Sequence, residues 1–527
     1  MNIFRRGSSN PTDSAESKDS KSRQLGVVLP LVAGSLVVLM GMAALAIDIG
    51  WLYVNQVRVR KAAESAALAG VVHMPLPGGA TVIAGTEPYD VAIDVSGRHG
   101  YNVGVTPAEG DTPARLNVSI TTEIDTFFMK VFGIDNLTFT EDATAEHIPP
   151  LRIGSDEPYL GEDPTVGGRN RNFFVAISGE DRNKGQGDEF AARRLQSGGG
   201  NPQYVGDGEP AYWYAFEVPA ASSLIGGTMQ IQVFDPQVHD EDPDAITNDW
   251  ANNNGDDDGW EGATRFRVFN PDDTPSEWRD NNSLVSGCDD TFRGEDGPDA
   301  HPDFDPALED VWVTVCTVSG VQSGIYVMDV MSDHTTDPDG DTNTDFINGF
   351  SLRGATSSGS PIISGDDLQV YGLGAMSLWQ FDTGSNPVFK IARLDELYAG
   401  SELILTLWDI SDIGSNGTLQ FVGSVSGSNA LDCVVRERSQ SGGSPTSWSS
   451  DDGQTNCYWT FSAQDHNNEY LDFRFDVPSD YECPAGTGSS PASPGCWIFV
   501  SYGVSGGITD RTTWSARVDG EPIRLLP

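Results

Sequence analysis

At 527 residues the chain is too long for one ordinary domain; at roughly 100–200 residues each, it accommodates about three or four. Lys+Arg 31 against Asp+Glu 77 leaves a net charge of −46, which excludes a nucleic-acid binder that reads phosphates through a basic face. Hydrophobic residues at 38% and aromatics at 9% are enough for packed cores and exclude wholesale disorder. Such an acidic surface repels anionic partners, attracts cations and resists precipitation in salt.

The first element is set by Leu25–Ile47, which carries no charged residue. At ~1.5 Å per residue these 23 positions span about 35 Å as a helix, against a hydrocarbon core of about 30 Å. A helix is the single-segment structure that satisfies its own backbone in lipid. The run predicts one transmembrane helix, 25–47, with Pro30 in its first turns. Arg5, Arg6, Lys18, Lys21 and Arg23 precede it, whereas the first charge after it is Asp48. The positive-inside bias then makes 1–24 a cytoplasmic tail and sends the rest across the cell membrane. A cleaved signal peptide ending at Ala44-Leu45-Ala46 is the competing reading, and the apolar run is longer than such peptides need.

Beyond the bilayer, Asp48 to Gly70 contains no proline and no glycine between Gly50 and Gly70, so the helix continues outward. Trp51 and Tyr53 stand where an interfacial aromatic belt belongs. Ala62, Ala66 and Gly70 recur every fourth residue, with Ala63 and Ala67 beside them. That ridge of small side chains either admits a partner's backbone or packs on the domain that follows. The stretch from Gln24 to Gly70, with its Asp48-Ile49-Gly50 exit, Tyr53 and Lys61-Ala62-Ala63-Glu64-Ser65-Ala66-Ala67-Leu68-Ala69-Gly70 block, resembles the N-terminal domain of TadG-like proteins of Tad (Flp) pilus assembly. Arg60, Glu64 and Ser65 depart from the family pattern, which reads closer to Gln-x-Ala-Ala-Asp-Ala-Ala-Ala-Leu-Ala-Gly. A weaker likeness covers Leu116–Ala145, including Phe127-Phe128-Met129-Lys130-Val131-Phe132-Gly133-Ile134. The resemblance implies a small α+β domain over 48–150 and association with pilus or secretion machinery, for which the Ala62/Ala66/Gly70 ridge is the candidate contact if it does not pack on its own domain. A prepilin is a near neighbour, but Val27-Val28-Leu29-Pro30-Leu31 after Gly26 places no glutamate at the fifth position, which favours a minor or accessory component.

After Pro150 the pattern turns to short alternating strands between Gly, Asp, Asn and Pro clusters, so the expected fold is mainly β. Phe216-Glu217-Val218 followed by Gly227–Asp235 is echoed by Phe389-Lys390-Ile391 followed by Gly400–Asp409. Met229, Ile231 and Val233 in one, and Leu403, Leu405 and Leu407 in the other, fall on one face of a strand. Each strand ends in an aromatic and an aspartate. The echo predicts two jelly-roll-like β-sandwiches, 151–357 and 358–527. Six cysteines, all after the helix, allow 15 pairings. The sequential pairing, Cys288–Cys316, Cys433–Cys457 and Cys483–Cys496, is the economical one, and disulfides fit an oxidising exterior.

The acidic loops are the site candidates. Asp337, Asp339, Asp341, Asn343 and Asp345 offer oxygens at alternating positions, and calcium is the cation such a loop would take. Thr342 and Asn348 stand where an EF-hand has Gly and Glu. Asp235–Asp244 and Asp256-Asp257-Asp258 are further clusters; the competing account of all three is solvated loops. Gly503-Val504-Ser505-Gly506-Gly507 matches GxSxG, yet no histidine follows it and the sequence after it is strand-like, so no enzyme is expected. Trp250, Trp260 and Trp278 in polar loops would stack on sugars or plug sandwich edges. Two functions follow: an outward-facing accessory component of a Tad-type apparatus, or a surface adhesin whose sandwiches bind glycans.

Overall fold

The computed structural model describes residues 19–74, 76, 81–111, 114–165, 173–179, 187–189, 212–238, 247, 249–251, 262–271, 283–296, 299–300, 304–332, 346–381, 388–410, 416–423, 432–439, 445–450, 457–462, 465–504, 509–519 and 523–526. They fall into two compact units. One takes residues up to Ala67 with Ala92–Pro107 and Val118–Ala143; the other takes Leu68–Val91, Ala108–Asn117 and Thr144–Pro527.

In the first unit, helix α1 (Asp19–Val71, 53 residues) runs without a break; its length is about 80 Å at ~1.5 Å per residue. It begins ahead of the apolar run, so Pro30 lies in its interior and not in its first turns. Lys21, Arg23 and Gln24 are good helix formers and extend it upstream. From Val28 to Ile49 the large apolar side chains point outward, Leu29 being 75% and Val37 69% exposed. Further along the pattern reverses: Val59, Ala62, Ala63, Ala66 and Ala67 are fully buried, a stripe at helical spacing. Helix α2 (Glu87–Arg98) buries Ala92 and Ser96, and alternation along β2 (Arg115–Asp125) buries Val118, Ile120 and Ile124. Strands β1 (Val105–Glu109), β2 and β3 (Asn136–His147) follow one another in a sheet, and the Thr144–His147 end of β3, which belongs to the second unit, pairs with Ile523–Leu526.

The burial corrects one expectation. The Ala62/Ala66/Gly70 face is not a docking surface for another protein, because all three residues are already covered by the protein's own chain.

In the second unit, among the described residues and leaving out two-residue strands, the first run of eight strands is Phe173–Ser178, Tyr212–Val218, Thr228–Phe234, Ala263–Phe269, Leu284–Arg293, Trp312–Ser319, Gly324–Ser332 and Phe346–Thr356. The second is Ala375–Phe381, Val388–Arg393, Glu402–Trp408, Gly417–Val422, Tyr458–Phe461, Glu469–Asp476, Trp497–Val504 and Thr509–Asp519, with Val434–Ser439 added at an edge. In each run one sheet takes the strands as sixth-third-eighth-first and the other as fifth-fourth-seventh-second, all antiparallel, the strand order of a jelly roll. The two first strands then pair with each other, Phe174 opposite Trp379 and Ala176 opposite Ser377. The halves therefore share two continuous sheets of 12 and 10 strands, and in the 10-stranded sheet Gln369–Leu373 and Arg152–Ile153 lie between them.

Phe173–Ser178 is buried at every position, as a strand covered on both faces must be, and reads accordingly as a continuous apolar run. Phe173 meets Phe389 of the other run at 5.4 Å between ring centroids, and Phe389 meets Trp514 at 5.7 Å, so one core spans both rolls. The echoed strands bury Met229, Ile231, Val233, Leu403, Leu405 and Leu407 completely. The aspartates that follow them, Asp235 and Asp409, both adopt left-handed backbone (φ 53° and 59°), the turn conformation that a short polar side chain tolerates best. The three disulfides are the sequential ones, closing separations of 28, 24 and 13 residues.

The segment before the first roll acts as a strap. Arg152 pairs with Glu217 at 3.0 Å and lies 5.2 Å from the Tyr371 ring centroid. Asp163 accepts from Arg353 Nη1 at 3.2 Å and Trp312 Nε1 at 3.1 Å in the first roll. Asp156 binds Lys390 and accepts from Trp497 Nε1 at 2.8 Å in the second. Each cation also faces the tryptophan that shares its carboxylate, at 4.0 Å for Arg353 and 5.1 Å for Lys390.

Candidate functional site

The acidic loop with Asp337, Asp339, Asp341, Asn343 and Asp345 lies outside the described residues, as do Asp256-Asp257-Asp258, Ser505, Trp260, Trp278 and the side chain of Trp250. Asp235 is described and is engaged internally: Thr247 Oγ1 donates to its Oδ2 at 2.6 Å.

A cluster of donor side chains that nothing in the sequence marks joins Glu437, His466 and Glu469, whose carboxylate oxygens and ring nitrogen lie within 4.8 Å of one another. Pairing of Val434–Ser439 with Glu469–Asp476 brings the glutamates together, and a turn with His466 at φ 64° turns the imidazole between them. Nδ1 stands 3.5 Å from Glu469 and 3.8 Å from Glu437. Two carboxylates and an imidazole are donors that suit a first-row divalent ion. Both glutamates are more than 40% exposed, so water competes for them. Glu437 and Glu469 are 32 positions apart, and nothing local marks their pairing.

The site with the most built geometry is the exit of the apolar helix. Asp48 is fully buried, although it is the first charge after the apolar run. Its carboxylate accepts the backbone N–H groups of Phe127 (3.0 Å), Phe128 (2.8 Å) and Met129 (2.6 Å). A carboxylate placed this way caps the short helical turn Met129–Phe132 as it would a helix N-terminus. Gly133, at φ 81°, reverses the chain, and Ile134 N–H returns to Met129 O at 3.2 Å. Thr126 Oγ1 closes the base by donating to Ile134 O at 2.6 Å. Trp51, one helical turn past Asp48, meets Phe127 at 5.4 Å between ring centroids. Gln56 Nε2 donates to Glu141 Oε1 at 2.7 Å, so α1 is held at a second point along β3.

Away from the helix, two titratable groups have clear environments. His147 is buried, and its Nδ1 lies 3.2 Å from Met74 O. Because a carbonyl only accepts, the neutral ring carries its proton on Nδ1. Burial lowers the imidazole to about 4 against the partial offset of that bond. Asp472 is buried between Arg436 Nε (2.8 Å), Arg438 Nε (2.7 Å) and Thr406 Oγ1 (2.7 Å). Burial alone would raise its carboxyl; the hydrogen bonds from Arg438, Thr406 and Arg436 outweigh that and hold it below the usual range.

Among solved structures, the N-terminal CBM22-1-CBM22-2 tandem domain of Paenibacillus barcinonensis Xyn10C aligns over 56% of this chain and 80% of that chain, at 8% identity and a TM-score of 0.14. A superposition that poor carries no argument here. No curated protein matches the chain. Residues 26–73, which hold the apolar helix, Asp48 and the alanine stripe, match the family described as putative Flp pilus-assembly TadE/G-like. Residues 26–73 are thus similar to a Tad, TadE/G-like domain, and a large antiparallel β-sheet region follows them.

Proposed function

We propose that the protein is a membrane-anchored, outward-facing accessory or minor component of a Tad (Flp) type pilus or secretion apparatus, with a non-catalytic jelly-roll ectodomain. The observation that carries this reading is the run Val28–Ile47. It lies in one unbroken helix with its large side chains outward, inside the stretch that matches the TadE/G-like family. Apolar side chains turned outward along about 30 Å need lipid around them. Arg5, Arg6, Lys18, Lys21 and Arg23 ahead of the run keep that end in the cytoplasm. The three disulfides fit the oxidising side.

The test is complementation. A strain deleted for this chain should lose Tad-type pili or the secretion that depends on them, and the wild-type chain should restore them. A chain with Val38→Lys and Leu39→Lys should not, because two charges at the centre of the span block insertion. Normal piliation and secretion in the deletion strain would refute the assignment.

A further inference from the structure

We propose that the loop 127–134 is a second membrane contact, an apolar foot that enters the interface of the outer leaflet beside the helix. The inference rests on the membrane-anchored reading above. The foot carries Phe127 (56% exposed), Phe128 (44%), Val131 (84%), Phe132 (79%) and Ile134 (38%), five large apolar side chains in eight residues. Solvent is a poor neighbour for such a cluster, and lipid is the occupant its position selects. The loop is bonded through three amides to Asp48, the residue that ends the apolar run, so the foot sits at the level where the helix leaves the hydrocarbon. Trp51 and Tyr53 occupy the same level on the helix, and an aromatic belt is the composition expected at a lipid–water interface.

Two details fit insertion. The backbone is largely self-satisfied: besides the three amides held by Asp48, Val131, Gly133 and Ile134 donate to carbonyls of the same loop. That removes the main cost of bringing an irregular segment into an apolar medium. Lys130, within the loop, has its ammonium partly exposed and 3.9 Å from Asp125, within reach of lipid phosphates. Asp48 is then a positioning residue, whose buried carboxylate fixes the foot to the helix at one height.

Depth-dependent quenching tests this on the full-length protein in vesicles of phosphatidylcholine with phosphatidylglycerol. Single cysteines at Phe132, Leu39 and Ser223 are labelled with NBD after the native disulfides have closed. The Leu39 label should be quenched most by a nitroxide at carbon 12 of the acyl chain. The Phe132 label should be quenched at least twofold more by a nitroxide at carbon 5 than at carbon 12, and should be at least threefold less accessible to aqueous iodide than the Ser223 label. Adding Asp48→Ala should raise iodide access at 132 at least twofold, which partitioning of the dye by itself would not do. Full iodide access at 132 with a lipid-buried label at 39 would overturn the foot and leave the anchor standing. Iodide access at 39 would overturn both, and an unchanged depth at 132 in Asp48→Ala would overturn the role given to Asp48.

Discussion

His147 and Asp472 push stability the same way through opposite chemistry. A neutral histidine held at about 4, against an ordinary 6.5, adds nothing above pH 6.5, where folded and unfolded chains are both neutral. As pH falls from 6.5 towards 4 the unfolded chain takes up a proton that the folded one refuses, and about 3 kcal/mol is lost at most. Thermal melts of His147→Gln, which keeps a donor for Met74 O, should therefore show a shallower loss of stability over that window than wild type; identical slopes would contradict it. Asp472, held low, gives stability that is present above the ordinary carboxyl range and disappears as pH drops through its folded value. Asp472→Ala strands Arg436 and Arg438 and should cost about 3–5 kcal/mol in chemical denaturation at pH 7. Neither environment was legible in the sequence: His147 reads as one of seven scattered histidines, and Asp472 as one acid among 77.

Elements were more legible where the signal is local. The uncharged run fixed α1, the alternation Leu116, Val118, Ile120 fixed β2, and the two echoed strands were visible because their apolar spacing is written in adjacent residues. The early start of α1 was missed because its upstream turns are polar. The alanine ridge showed its spacing and not its occupant; burial decides that the protein's own chain covers it. Ala66→Leu should consequently destabilise by about 1–3 kcal/mol through overpacking, whereas Lys61→Leu on the exposed face of the same helix should change stability by less than about 0.5 kcal/mol. The strap was illegible because Asp156 and Lys390 are 234 positions apart. Asp156→Ala removes the carboxylate that the Lys390 ammonium, 3% exposed, binds, and should cost about 3–5 kcal/mol. Adding Lys390→Met should recover most of that loss, and denaturation curves of the pair decide the point.

At the scale of the molecule, two jelly rolls joined through their first strands and one core make the β region a single structural body. Direct pairing of Phe173–Ser178 with Ala375–Phe381 could not be read from two similar halves, since either could equally well have closed its own edge. The disulfides brace each roll, and replacing Cys288 and Cys316 together by alanine should lower stability by about 2–4 kcal/mol, measured as a drop in the denaturant midpoint. On this reading a permanent apolar anchor carries the acidic β region to the far side of the membrane. Protease added to intact cells or spheroplasts bearing a C-terminally tagged chain tests it most directly. The tag should be lost without permeabilisation, leaving a membrane-bound N-terminal fragment whose mass retains residues 25–47. A tag protected until the membrane is opened, or a full-length chain in the soluble fraction, would contradict it.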